Sequence, residues 1–307
     1  MNNTVNIFYS SDDCYVPCMT VSIISLINNS SNDRNYNIFI LNDGINSENK
    51  AIISSLATKN VKIEFVDVSQ QLSTIAGELN LRDYYSISIY SRIFIPEMFK
   101  SFDRAIYLDA DTVVLADIGN LYDTDLKGNL IAGVSDAVIA SEPVFRDYAT
   151  YGVGIEYKRY FNSGMMLMDL EGLRKFGLQA KFINLINTYN FATVCPDQDY
   201  LNVILKDRVL YLDSGWNKMS VDTSPCEKLN IIHFNMFFKP WYYKDVPYSE
   251  HFWHYAGKSV FYDKLKATQE DFGNDEINRD NVAGENLKAA VKDIINAPDN
   301  FRKTLFK

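Results

Sequence analysis

The sequence predicts an α/β fold: a parallel sheet covered by helices, with a helical extension at the carboxyl end. Two observations carry that expectation. Strand-like and helix-like stretches alternate from the amino terminus onward, and residues able to do chemistry cluster just after strand-like runs.

Val5-Asn6-Ile7-Phe8-Tyr9 reads as a buried strand, closed by the polar turn Ser10-Ser11-Asp12-Asp13. Pro17 suits a first helical turn, and Val21, Ile24, Leu26 and Ile27 continue an apolar face. Tyr36 to Leu41 reads as a second strand ending in the turn Asn42-Asp43-Gly44. Ser47 with Lys50-Ala51-Ile52-Ile53 starts another helix, and Val61 to Val66 forms a third strand. Repeated strand–helix units imply a parallel sheet, and ligands of such sheets sit at the carboxyl ends of the strands. Two runs end accordingly: Ile106-Tyr107-Leu108 leads into Asp109-Ala110-Asp111, and Ile231-Ile232 into His233. Composition turns polar near residue 268, before an amphipathic helical pattern from Glu285 to Ile295. The expected division is a main domain over 1–255 and a helical extension over 256–307.

Composition narrows the function classes. The chain has 307 residues, 47% hydrophobic and 22% charged, which is ordinary globular usage. A net charge of −9 argues against a general nucleic-acid binder, which needs a basic surface. It leaves room for a diphosphate held by one lysine and a divalent cation. No apolar run approaches the ~18 residues of a membrane span, and no signal-peptide pattern opens the chain. Cys14, Cys18, Cys195 and Cys226 form no paired metal framework, and no CxxC occurs. The expectation is free thiols in a reducing cytoplasm, with at most peripheral contact at the inner face of the membrane.

Nucleotide binding, if present, does not rest on a glycine loop. GxxxxGK[ST] is absent, and Gly152-Val153-Gly154 lacks the third glycine and its strand–turn setting. Asp109-Ala110-Asp111 offers another device, because two hard carboxylates at a strand end can share a divalent cation. The same triplet also suits an ordinary strand-end turn. It resembles the nucleophile motif of haloacid-dehalogenase-type phosphatases as well. That motif belongs on the first core strand and needs a later acidic pair. Here three strand–helix units precede it, and no GDxxxD follows.

Three later segments matter. Tyr160-Phe161-Asn162-Ser163-Gly164 precedes the strand-like Met165 to Leu170. Pro196-Asp197-Gln198-Asp199-Tyr200-Leu201-Asn202 gathers acids and amides at a helix start, where aspartate also favours the dipole. His233-Phe234-Asn235-Met236-Phe237-Phe238-Lys239-Pro240-Trp241 follows a strand. Taken singly, each has an ordinary structural reading.

In this order the segments resemble glycosyltransferase family 8, which includes bacterial lipooligosaccharide α-galactosyltransferases and glycogenin. The resemblance runs from about Asn6 to Trp241. It implies a GT-A type, Rossmann-like nucleotide-diphospho-sugar transferase fold and retaining transfer of a hexose from a UDP-sugar. Galactose is slightly favoured over glucose, and the acceptor is a glycan on protein, lipid or lipooligosaccharide. It further implies Mn²⁺, with Mg²⁺ as a substitute, on Asp109, Asp111 and His233. Ser10, Asp12, Tyr15, Asp109, Ala110 and Lys239 would bind the nucleotide, with Asp12 and Tyr15 on the uracil and Lys239 at the diphosphate. Arg92, Asp136, Asn162, Asp197 and Gln198 would contact the transferred sugar, with Asp197 and Gln198 nearest the reaction. Two positions depart from the family pattern. Met236 stands where a glycine is usual, implying a different local backbone or a narrower pocket, and Cys14 where some members have asparagine. A non-catalytic UDP-sugar- or glycan-binding relative would have lost a metal ligand or the Asp197-Gln198 pair, and all are present. A nucleotidyltransferase would carry a glycine- and basic-rich amino-terminal loop, unlike Ser10-Ser11-Asp12-Asp13.

Overall fold

Strand β1 (Thr4–Ser10) buries Val5, Ile7 and Tyr9 on one face and Phe8 on the other. A strand apolar on both sides belongs in the middle of a covered sheet, and β1 lies there. The computed structural model describes residues 3–74 and 87–306. After β1 come α1 (Val16–Asn29), β2 (Asn35–Asn42), α2 (Ser47–Ser54), β3 (Val61–Asp67) and α3 (Ser69–Ser73). α4 (Ser91–Met98), β4 (Arg104–Asp109), β5 (Thr112–Val114), α5 (Gly119–Tyr122) and β6 (Ile131–Gly133) follow. Then come α6 (Ala137–Ser141), α7 (Pro143–Asp147), β7 (Met165–Asp169), α8 (Leu170–Phe176) and α9 (Leu178–Tyr189). The last part holds α10 (Pro196–Ile204), β8 (Val209–Tyr211), β9 (Lys218–Met219) and β10 (Ile231–His233). It closes with α11 (Ser249–Ala256), α12 (Tyr262–Asp271), α13 (Asn274–Asn296) and α14 (Phe301–Leu305).

The main sheet has strand order β3-β2-β1-β4-β7-β6-β8. β3, β2, β1 and β4 are parallel, as expected, but β7 runs antiparallel to both β4 and β6. The chain winds outward from β1 in one direction and from β4 in the other, so the topological switch lies between these two strands. Their carboxyl ends meet in register, Ser10 opposite Asp109. A crevice outside that switch is where such sheets bind ligands. His233 does not come from this sheet. It ends β10 in a separate three-stranded sheet, β5-β10-β9, whose short β5 begins just past the Asp109–Asp111 turn. A strand-like run does not reveal which sheet it joins, so this second sheet was not foreseen.

Two hydrophobic cores lie on the two faces of the sheet. Ile106 and Leu108 of β4 point into one, and Ala105 and Tyr107 into the other, as period-two alternation requires. The carboxyl-terminal helices contribute to both cores. Phe261 and Leu265 pack with the α1 side, while Val291, Ile294 and Phe301 pack with the α9–α10 side. The expected boundary at 255/256 falls at the end of α11, and helix α13 begins eleven residues before the Glu285 start read from the sequence. Asp275 and Glu276 occupy its first turn, and Glu276 reaches back to the Gly273 N–H, giving it a polar start that apolar periodicity does not register. Among the described residues, no helix is long and apolar enough to cross a membrane.

Candidate active site

At the switch point a cleft of about 1080 Å³ opens. It is lined by Ser10, Asp12, Tyr15, Arg92, Asp109, Ala110, Asp111, Asp136, Asn162, Asp197, Gln198, His233 and Lys239. The structure therefore gathers every candidate residue named from the sequence into one cavity. Cys14 is outside that lining and is exposed; all four cysteines are free.

Asp109, Asp111 and His233 each present one ligand atom, and the three atoms lie within 4.8 Å of one another. Each residue has one polar atom committed to the protein and one facing the shared centre. Asp109 Oδ1 accepts from Arg92 Nη2 at 2.9 Å and from the Tyr107 hydroxyl at 3.0 Å. Its Oδ2 lies 3.7 Å from His233 Nε2. Asp111 Oδ2 takes the Lys239 ammonium. Its Oδ1 is buried, has no hydrogen-bond donor among the described residues, and lies 3.2 Å from His233 Nε2. An orphaned buried carboxylate oxygen beside an imidazole nitrogen is costly unless a cation joins them. Separations of 3.2 and 3.7 Å suit neighbouring ligands around an ion at about 2.1 Å. Burial alone would raise the Asp111 carboxyl, but the Lys239 ammonium outweighs it and holds the carboxyl below the ordinary range. Two hard oxygens and one imidazole thus fit a divalent cation.

The histidine is held in the tautomer that a cation needs. Asn162 Oδ1 accepts the Gly164 backbone N–H at 3.0 Å, which fixes its amide, and Asn162 Nδ2 donates to Asp136. Asn217 Nδ2 donates to the same Asn162 oxygen at 2.9 Å, so its own Oδ1 must face His233 Nδ1, 3.0 Å away. His233 Nδ1 therefore carries the proton, and the Nε2 lone pair turns toward the carboxylates.

Across the cleft, α10 opens with Pro196 at its first position, and Asp197 and Gln198 are buried in its first turn. Asn202, further along the helix, accepts from Phe161 N at 2.9 Å and donates to Phe161 O at 2.8 Å. That pairing clamps the Phe161–Gly164 turn against the helix. Gln198 Oε1 accepts from Ser163 N at 2.9 Å, and Nε2 donates to Asp136 Oδ2 at 3.0 Å. Arg92 is buried between the two halves. It contacts Asp109 at 2.9 Å and Asp197 at 3.1 Å, and donates to Ser163 O at 2.7 Å. Burial raises the Asp197 carboxyl despite this guanidinium.

The profile of glycosyl transferase family 8 matches residues 6–245. The chain belongs to glycosyl transferase family 8. Its relatives include a protein of Haemophilus influenzae named as a glycosyltransferase, 32% identical, with 75% of this chain and 68% of that one covered. They also include a lipopolysaccharide 1,2-glucosyltransferase of Escherichia coli K12, 27% identical, covering 78% and 73%. Among solved structures, the galactosyltransferase LgtC, in complex with donor and acceptor sugar analogs, superposes with TM-score 0.70. It is 25% identical, with 83% of this chain and 96% of that chain covered. The bifunctional glycosyltransferase WbbM superposes with TM-score 0.76 at 23% identity over 88% of this chain, which spans about half (52%) of its length. The fold is of the GT-A type.

Against the family 8 pattern, Met236 now has a conformation. Its φ is 60°, the left-handed region natural to glycine and uncommon for a residue with a Cβ. The backbone turn that a glycine would make is retained, and the methionine side chain lines the cleft. Asp12 and Asp13, adjacent in sequence, separate in role. Asp13 accepts from Asn46 and Asn49 and fastens α2, whereas Asp12 accepts the Tyr15 N–H at 3.1 Å and lines the cleft.

Sequence reasoning missed Asn217 and gave no role to Ser163 or Asn202. Asn217 sits in an undistinguished turn before β9, and nothing local marks it. Asn217→Leu leaves His233 Nδ1 unpaired, and divalent-cation affinity is expected to fall about 10–100-fold. Isothermal titration with Mn²⁺ checks this; unchanged affinity would remove Asn217 from that role.

Asp199, in the same segment as Asp197 and Gln198, is fully buried and lies outside the lining. Its carboxylate accepts from Tyr148 OH at 2.7 Å, Tyr160 OH at 2.5 Å and Cys195 N at 3.1 Å. Burial pushes the Asp199 carboxyl up to about 6 from an ordinary 3.8. Between those values the folded chain keeps a proton that the unfolded chain has released. The stabilisation is therefore full below about pH 4 and is lost as pH rises through 6. Asp199→Asn should flatten the pH dependence of the melting temperature across that window. Parallel curves for the two proteins would contradict it.

Proposed function

We propose that this chain moves a hexose from a UDP-sugar to a glycan acceptor, with retention of anomeric configuration and with a divalent cation, Mn²⁺ or in its place Mg²⁺. One observation carries the reading: three cation ligands, a lysine and the Asp197–Gln198 pair converge in one cleft at the sheet's switch point. The names of the relatives favour galactose or glucose, since one is a galactosyltransferase and another a glucosyltransferase. Galactose keeps its slight preference. The acceptor is a glycan carried on protein, lipid or lipooligosaccharide.

Asp109, Asp111 and His233 would hold the cation, which when bound supplies Lewis-acid stabilisation of the leaving diphosphate. Lys239 adds a compact positive charge beside it. Tyr15 would stack on the uracil, with Asp12 hydrogen-bonding its edge and Ser10 and Ala110 completing the nucleotide wall. Asp136, Asn162, Asp197 and Gln198 would orient the sugar hydroxyls. Arg92 spends its donors on Asp109, Asp197 and Ser163, and so ties the cation side of the cleft to the sugar side.

A double displacement needs a carboxylate nucleophile beneath the anomeric carbon. Gln198 is an amide, Asp197 is held by Arg92 and Ser163 as a group that orients the sugar hydroxyls, and both Asp199 oxygens are buried and already accept hydrogen bonds. This supports same-face attack, with the departing phosphate oxygen taking the acceptor proton and the Gln198 carbonyl supporting the cationic sugar. Gln198→Ala is expected to lower turnover about 100–1000-fold without abolishing it. A panel of UDP-sugars assayed for Mn²⁺-dependent UDP release identifies the donor, and NMR of the product from an α-linked donor should show an α linkage. A β-linked product would overturn the retaining mechanism, and no UDP release from any member would overturn the activity.

A further inference from the structure

Family 8's profile ends at residue 245, yet the cleft does not. Part of its wall is the middle of α13, where Asn278, Val282 and Asn286 follow one another at four-residue spacing along a single helix face. All three are exposed and line the cleft. The helix is held through its opposite face rather than through this one. Near its start, Tyr243 OH donates to Asp280 at 2.7 Å; toward its end, Val291 and Ile294 are buried in the core. A helix anchored on its far face forms a fixed wall of the cleft.

We propose that this face of α13 is the acceptor wall, and that it takes a neutral, hydroxyl-rich glycan. The inference rests on the transferase reading above. Donor chemistry sits within the matched residues 6–245, so the part outside the profile is where a chain-specific acceptor is chosen. Two carboxamides flanking one aliphatic side chain fit a sugar. Each amide both donates to and accepts from hydroxyls, and Val282 meets the C–H face of a ring. Arg279 also lines the cleft, but it is paired with Glu276, and α13 as a whole carries five acidic residues against three basic ones, an unfavourable field for an anionic group. Strongly acidic acceptors are therefore disfavoured relative to neutral ones.

The test uses the full chain loaded with UDP and Mn²⁺, and a panel of lactose, maltose, cellobiose and glucuronic acid. Saturation-transfer NMR reads sugar binding, and the ratio of transfer to donor hydrolysis reads use. Two variants are compared with the parent: Asn278→Ala/Asn286→Ala, and Val282→Lys. Loss of two amide hydrogen bonds should raise the acceptor KM about tenfold and lower the transfer-to-hydrolysis ratio correspondingly. Val282→Lys should weaken neutral sugars and favour glucuronic acid. Sugar binding that is indifferent to both variants, or a panel in which no neutral sugar binds, overturns the acceptor wall. Neutral sugars that bind in an α13-dependent way to a chain that turns over no UDP-sugar overturn the transferase reading and leave the wall standing.

Discussion

Asp111→Asn is expected to reduce cation-dependent release of UDP by more than about 100-fold, with Mn²⁺ affinity falling in step. The substitution keeps the size of the side chain and an oxygen for Lys239, but removes the charge that an ion between Asp109 Oδ2, Asp111 Oδ1 and His233 Nε2 requires. Asparagine is the better probe because alanine would do two things at once. Lys239 is buried and Asp111 is largely enclosed, and truncation leaves an ammonium without its partner, at a cost of about 3–5 kcal/mol. Asp109→Ala would take one of the two carboxylates that hold the buried Arg92, leaving it Asp197. Asp109→Asn and Asp111→Asn keep an acceptor for the neighbouring cation, so they should lose less stability than the alanine variants while losing the divalent ion as fully. Calorimetric Mn²⁺ titration, thermal melts and UDP release from UDP-galactose separate these outcomes. Turnover that persists undiminished in excess chelator after exhaustive metal removal would end the cation-site assignment.

Gly164→Ala is the second large effect. A Cβ at that position would stand 2.3 Å from His233 Cε1 and 2.4 Å from Asp109 Oδ2. Neither neighbour can retreat cheaply, because the imidazole is held by Asn217 and the carboxylate by Arg92 and Tyr107. One methyl group would thus push apart two of the three ligands from within. Overpacking of this kind costs about 1–3 kcal/mol, and the rest of the damage should appear as loss of Mn²⁺ binding. A Gly164→Ala protein that binds Mn²⁺ as tightly as the parent would show that the cluster is not the site. The Phe-Asn-x-Gly turn was legible in the sequence as a motif. The reason for its glycine was not, because the crowding comes from β4 and β10, which are distant along the chain.

The same division runs through the molecule. Local patterns were enough to place β1, α1, β2, α2 and β3, because strand alternation and helix periodicity are written in neighbouring residues. They also placed Asp109, Asp111, Asp197, Gln198, His233 and Lys239 at element ends, where a turn exposes polar side chains. Nothing local says that β7 runs antiparallel, or that His233 arrives from a second sheet, since strand partners are chosen by long-range pairing. Nothing local distinguishes Asp12 from Asp13, or Asp197 from Asp199, because chemically equivalent neighbours are sorted only by what packs against them. Asn217 became visible only through its place between Asn162 and His233. Met236 kept a glycine's backbone without being one, since the flanking elements impose the turn. The sequence alone thus determined which residues could do the chemistry and in what order they come. The tertiary structure decided which atoms are free to do it, because burial and hydrogen-bond partners are set by segments far apart in the chain.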